Sequence, residues 1–129
     1  MTTLSTAAQN AACDAIVDLI DAGGAATGSL SFTTAADGEL ANLTWASGDA
    51  FGNAVAGVAT MNDIQNGTAS QGTCTKAKFQ DDTTAVVIEG TVTISAGGGD
   101  IELTKVAFEA GDTVTMTSGQ TTVTVPAGP

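Results

Sequence analysis

A chain of 129 residues is long enough for one domain that folds on its own apolar core, with no metal or disulfide required. The 43% hydrophobic share is too high for a disordered chain, and the 4% aromatic share leaves most of the core to Val, Ile, Leu and Ala with a few Phe. Fourteen acids stand against three lysines, with no Arg and no His, for a formal charge of −11; this balance weighs against nucleic-acid binding and against adsorption to anionic lipid, and favours solubility, the acidic surface being expected either to need no partner or to meet a basic one.

Met1 to Asn10 carry no Lys or Arg, and no apolar run follows. That is not the pattern of a secretory signal, and no segment is apolar enough to span a membrane. Residues 5–22 read as one amphipathic helix. Leu4, Ala8, Ala12, Ile16 and Ile20 recur at i, i+4, widened by Cys13, Val17 and Leu19. Asn10, Asp14, Asp18 and Asp21 line the other side. Thr2, Thr3 or Ser5 can cap the start, and Gly23-Gly24 stops the end. Asp18 and Asp21 fall in the last turn, where the helix dipole disfavours anions. They are expected either to be exposed and screened or to meet a cation on a partner. The helix is expected to cover an open face or edge of a sheet, or to pack on a neighbouring subunit.

After Gly28 the period becomes that of strands. Leu30 and Phe32 alternate with Ser29, Ser31 and Thr33. Ala41, Leu43 and Trp45 alternate with Asn42 and Thr44, which places Trp45 in the core. The small residues from Ala54 to Met61 suit a tightly packed strand. From Thr73 to Phe79, alternation puts Ala77 and Phe79 on one face and Cys74, Lys76 and Lys78 on the other. In the run from Ala85 to Ile94, Val86, Ile88, Val92 and Ile94 point inward and Glu89, Thr91 and Thr93 outward. Gly90 falls inward and marks a bend or bulge. Ile101 and Leu103 follow, with Val106 and Phe108. Val114 and Met116, then Val123 and Val125, form a last pair. Turns are marked by Gln80-Asp81-Asp82-Thr83, Ala96-Gly97-Gly98-Gly99-Asp100, Glu109-Ala110-Gly111-Asp112 and Ser118-Gly119. The fold class expected is mainly β, an antiparallel sandwich or jelly-roll over residues 28–126 with one N-terminal amphipathic helix, in a single domain 1–129.

Inventory excludes most catalytic chemistry. Without His there is no Ser–His or Cys–His pair and no histidine zinc site, and two isolated cysteines cannot form a four-cysteine site. Cys13 and Cys74, assigned to a helix and to the outer face of a strand, are expected to be free, as suits a reducing compartment. Gly97-Gly98-Gly99 lacks the lysine and serine of a phosphate loop and precedes a strand. Paired carboxylates can hydrolyse glycosides or hold calcium, and Asp81-Asp82, Asp37-Gly38-Glu39 and Asp100 are the places to look. None has the spacing of a calcium loop, and Asp in a turn bonds its own backbone. A glycan site would also want aromatic platforms, and Trp45 is the single Trp with no Tyr present. Asn42-Leu43-Thr44 and Asn66-Gly67-Thr68 match the glycosylation pattern by chance. Lys76 and Lys78 are expected to pair with Glu89 on the next strand, or to dock an acidic partner. The expectation is a chain that is not an enzyme, with no catalytic residue, no cofactor and no metal ligand.

From Asp49 onward the chain resembles a group of small bacteriophage virion structural proteins. The likeness lies in Asp49-Ala50-Phe51-Gly52-Asn53-Ala54 with Gly57-Val58-Ala59-Thr60, in Glu89-Gly90-Thr91-Val92, in Gly111-Asp112-Thr113-Val114, and in Thr122 to Ala127. The Ala-rich N-terminal helix ending in Gly-Gly is similar to theirs as well. The resemblance implies particle assembly, and within it a capsid decoration or cement protein that binds the outer lattice and stabilises the head. The implied partners are the major capsid protein and neighbouring copies of the chain, a trimer being one arrangement. The implied location is the capsid surface of the virion, after folding in the host cytoplasm. The chain ends, residues 1–6 and 126–129, are expected to reach neighbouring subunits. The alternative is a tail-fibre or receptor-binding module.

Overall fold

The computed structural model describes residues 2–21, 28–45, 49–116 and 121–127. It is a mainly β fold with a single N-terminal helix among those residues. Helix α1 spans Thr6–Asp18 and tightens into a 3-10 turn at Leu19–Asp21. Of the three possible caps, Ser5 serves: its hydroxyl accepts from the Ala8 N–H at 3.2 Å. Gly23-Gly24, the expected stop, lies outside the described residues. The Ile20 carbonyl at the helix end accepts from the Gly28 N–H at 3.0 Å. Only glycine fits there, because a Cβ at position 28 would lie 1.8 Å from the Gln80 carbonyl oxygen.

Five strands form the main sheet: β1 (Ser29–Thr33), β2 (Glu39–Thr44), β6 (Lys76–Gln80), β7 (Val86–Ile94) and β8 (Ile101–Leu103), in the order β2-β1-β6-β7-β8. Short ladders complete the fold. Strand β3 (Val58–Thr60) pairs with β11 (Thr122–Thr124), β4 (Gly67–Thr68) with β10 (Thr113–Val114), and β5 (Gly72–Thr73) with β9 (Ala107–Phe108). The expected pairing of the Val114 and Val123 segments is therefore corrected: each instead adds to an earlier, sequence-distant strand.

Alternation predicts burial well in β2 and β6. Leu43, Trp45, Ala77 and Phe79 are buried, and Asn42 and Thr44 are exposed. Phe79 centres the aromatic core, stacked on Trp45 at 6.2 Å and tilted against Phe51 at 5.6 Å between ring centroids. In β1 the rule fails. Ser31 and Thr33 are buried too, and the Ser31 hydroxyl donates to Glu39 at 2.6 Å.

Strand β7 departs further. Phe79 faces Ile88 but Gln80 faces Val86, so Val87 is the extra residue of a bulge. The bulge reverses the parity of Val86, leaving it 48% exposed, and Ile94 at the far end is 54% exposed; only Val92 of the four expected inward residues is fully buried. Gly90 is not the irregular residue. It sits in register opposite Ala77, on the inward side, with Asp100 folded over it.

The pair β7–β8 is parallel, where an antiparallel one was expected. Parallel neighbours ordinarily need a long crossover. Here residues 95–100 suffice, because they fold back along β7 itself. Ala96 and Gly98 take positive φ, and a Cβ on Gly97 would lie 2.6 Å from the Thr93 hydroxyl. Gly97 and Gly99 are thus explained by close approach of backbone to strand, and Gly98 by its positive φ. Cys74 is corrected as well. The strand breaks between β5 and β6, so its side chain enters the core at 1% exposure, off the face of the lysines.

Candidate functional site

The largest correction concerns α1. Its polar row, the exposed Asp18 apart, does not face solvent. Asn10 accepts from the Gly57 N–H at 2.7 Å, Asp14 from the Ala54 N–H at 2.6 Å, and Asp21 from the Ala50 N–H at 3.3 Å. Three side chains spaced at one helical face thus satisfy backbone donors of residues 50–57, which no strand pairs at those positions. On the adjoining flank Gln9 donates to the Val125 carbonyl at 2.9 Å and the Cys13 thiol to the Val123 carbonyl at 3.1 Å. Burial pushes the Asp21 carboxyl above its ordinary range, aided by the nearby Asp49 and Asp18 and partly offset by the Ala50 N–H.

The loop acids act in the same way. Asp81 accepts from the Thr83 hydroxyl at 2.7 Å and from the Thr83 and Ala85 N–H groups, which hold its carboxyl low. Asp100 accepts from the Thr91 N–H at 2.8 Å and the Thr91 hydroxyl, and is lowered likewise. Glu102 accepts from the Gly98 N–H. Asp112 accepts from the Glu109 N–H and from Lys105. These carboxylates close turns. Among the described residues no three His, Cys, Asp or Glu side chains come together as a metal site, and no helix is long and apolar enough to cross a membrane.

All three lysines are paired within the chain. The Nζ of Lys76 and of Lys78 lie 2.7 and 2.9 Å from one oxygen of Asp37, and that of Lys105 lies 2.8 Å from Asp112. The expected partner Glu89 is secondary, 3.9 Å from Lys76. Hydrogen bonds from the two lysines lower the Asp37 carboxyl to about 2. Asp37 was not legible as the partner. It stands at φ 68 in the turn after β1, and only the β1–β6 register brings that turn beside Lys76. Each lysine thus has a carboxylate of its own chain beside it.

Cys13 and Cys74 are buried free thiols, and burial pushes Cys74 up to about 11. A thiol held there is protonated at neutral pH and a poor nucleophile. Two outward features remain. One is an open groove of about 300 Å³ between β8 and β10, floored by Leu103, Phe108 and Val114 and rimmed by Lys105 and Asp112. The other is the outward face of α1. No protein-family model, curated protein or solved structure matches the chain.

Proposed function

We propose that the chain is a structural subunit of a bacteriophage particle, a head decoration protein that binds the outer capsid lattice. The observation that carries the reading is the charge layout. Every cation is neutralised by the chain's own acids, while most of the fourteen acids have no cationic partner. Such an exterior acts by shape and negative charge, and is drawn to a basic surface. The virion resemblance from Asp49 onward supplies the partner class. Stabilisation then follows from mass action: a ligand that binds only the closed lattice, at about a hundredfold over its Kd, contributes about 2.7 kcal/mol per site, repeated over many sites. Leu4 and Ala127 meet, the Leu4 N–H donating to the Ala127 carbonyl at 2.6 Å, so a contact made through these two residues is one patch rather than two arms.

The experiment is occupancy on purified capsids lacking the protein, measured against salt, with copy number in intact virions. Saturable binding that weakens with salt, at roughly hundreds of copies per head by symmetry, is the expected result. Absence from purified virions defeats the reading. A handful of copies favours the second reading, a receptor-binding module of the tail, for which the groove between β8 and β10 would be the ligand site.

A further inference from the structure

Main-chain bonds carry the five-stranded sheet round almost into a ring. At its β2 edge the Leu40 and Thr44 carbonyls accept from the Ser70 and Gln65 N–H groups, both at 2.8 Å, so the segment holding β4 lies along β2. Strand β4 in turn pairs with β10. The order is then β10-β4-β2-β1-β6-β7-β8, and it fails to close between β8 and β10, at the groove of about 300 Å³. A closed barrel has no strand edges, whereas this ring keeps two, and both line the same groove.

Each edge turns main-chain groups toward the gap. The Leu103 carbonyl accepts from the Ser95 N–H just beyond β7, so alternation along the strand turns the N–H and carbonyl of Glu102 away from β7. The Asp112 carbonyl accepts from the Ala69 N–H beside β4, and the same alternation turns the N–H and carbonyl of Thr113 away from β4. No strand among the described residues meets Glu102 or Thr113 on that side. Between these walls the floor is apolar, with Leu103, Phe108 and Val114 buried while Glu102 and Thr113 stand exposed. Main-chain donors and acceptors on both walls, above an apolar floor, are the complement of an extended segment, which bonds both walls and sets alternate side chains on the floor. Charge selects among such segments. Lys105 is matched by Asp112, but Asp100 and Glu102 on the β8 wall have no lysine beside them among the described residues. A basic residue on the segment answers them. The chain's own described ends are taken up elsewhere, Leu4 bonding Ala127 and β11 pairing with β3, so a second copy offers no free end.

We propose that this groove receives an extended, basic segment of a partner protein, added as a strand between β8 and β10 so that the ring closes. The inference does not rest on the capsid reading, since any partner with such a segment would serve.

The test titrates the full chain with a blocked peptide, Lys-Val-Thr-Val-Thr-Val-Lys, and follows amide exchange by NMR. The expected result is saturable binding that slows exchange at both Glu102 and Thr113. Two N-methylated forms of the peptide, one on every Val and one on every Thr, each remove the donors facing one wall, and each should bind at least about tenfold more weakly. A form with Glu in place of Lys should also bind more weakly at low salt and approach the parent peptide at high salt. On the protein, Thr113→Pro removes the wall donor and should weaken binding about tenfold, while Thr113→Val, which keeps it, should not. The wild-type measurements stand whether or not the proline variant folds. Absence of saturable binding by the parent peptide overturns the proposal. So does slowed exchange at only one of the two amides, or an N-methylated form that binds as tightly as the parent, since either means addition to a single edge. Slowed exchange at both amides on raising the concentration of the chain alone would assign the groove to a second copy, and overturns it too.

Discussion

The five-stranded sheet and helix α1 are both amphipathic, yet they use their two sides differently. In β2 and β6 apolar residues go inward and polar ones outward, as period-two alternation requires. In α1 one polar flank goes inward, because Asn10, Asp14 and Asp21 accept backbone N–H groups of residues 50–57, and an apolar flank is left outside. A strand in a sheet has its backbone satisfied by its neighbours, so its buried side chains need only be apolar. The segment from Ala50 to Gly57 runs beside a helix, which offers no free backbone acceptors along its length. The Gly52 and Val55 donors find the Thr60 and Val58 carbonyls, and the helix supplies side chains for those of Ala50, Ala54 and Gly57.

Truncating the centre of the sheet's core should have the largest effect. Phe79→Ala removes the ring that contacts both Trp45 and Phe51 and should cost about 3–5 kcal/mol in urea unfolding. The helix dock should be worth less per residue but should depend on chemistry and not volume. Asp14→Ala should cost about 1.5–3 kcal/mol, while Asp14→Asn, which keeps an acceptor for Ala54, should recover most of that. If the alanine variant is as stable as wild type, the polar row is not what seats the helix.

The pH dependence sharpens the contrast. Asp37, beside the sheet's lysines, is lowered from its ordinary 3.8 to about 2. It contributes stability above the ordinary value, and that stability is lost as pH falls from 3.8 towards 2. Asp37→Asn should therefore destabilise modestly at neutral pH, flatten this part of the acid transition, and do both less in high salt. Asp21, under the helix, is raised by burial. Its contribution is fullest below the ordinary value and is lost as pH rises through its folded value. Asp21→Asn should be the smallest change of all, neutral or slightly stabilising at neutral pH, since the amide still accepts from Ala50. Melting midpoints across a pH series would separate the two, and parallel behaviour of both variants would contradict the assignment.

Much of the local structure was legible: the helix from its i, i+4 repeat, Ser5 among its caps, the turns at Asp81 and Gly111, and Trp45 in the core. These follow from periods and turn chemistry carried by a few adjacent residues. The partner of Lys76 and Lys78 was not, because Asp37 reaches them only through the pairing of β1 with β6. The bulge at Val87 was placed three residues off at Gly90, since glycine marks many kinds of close approach and here marks contact with Asp100.

Sequence alone determined that the chain is mainly β behind one amphipathic helix, and that it carries no histidine or arginine with which to build common catalytic or phosphate-binding sites. Tertiary structure decided which side of the helix faces in, which strands meet, and which acid holds the lysines. The physical reason is that periodicity records two contrasting faces without saying what lies against either. A polar face is as good an inner face as an apolar one when a distant segment brings unpaired backbone donors to meet it.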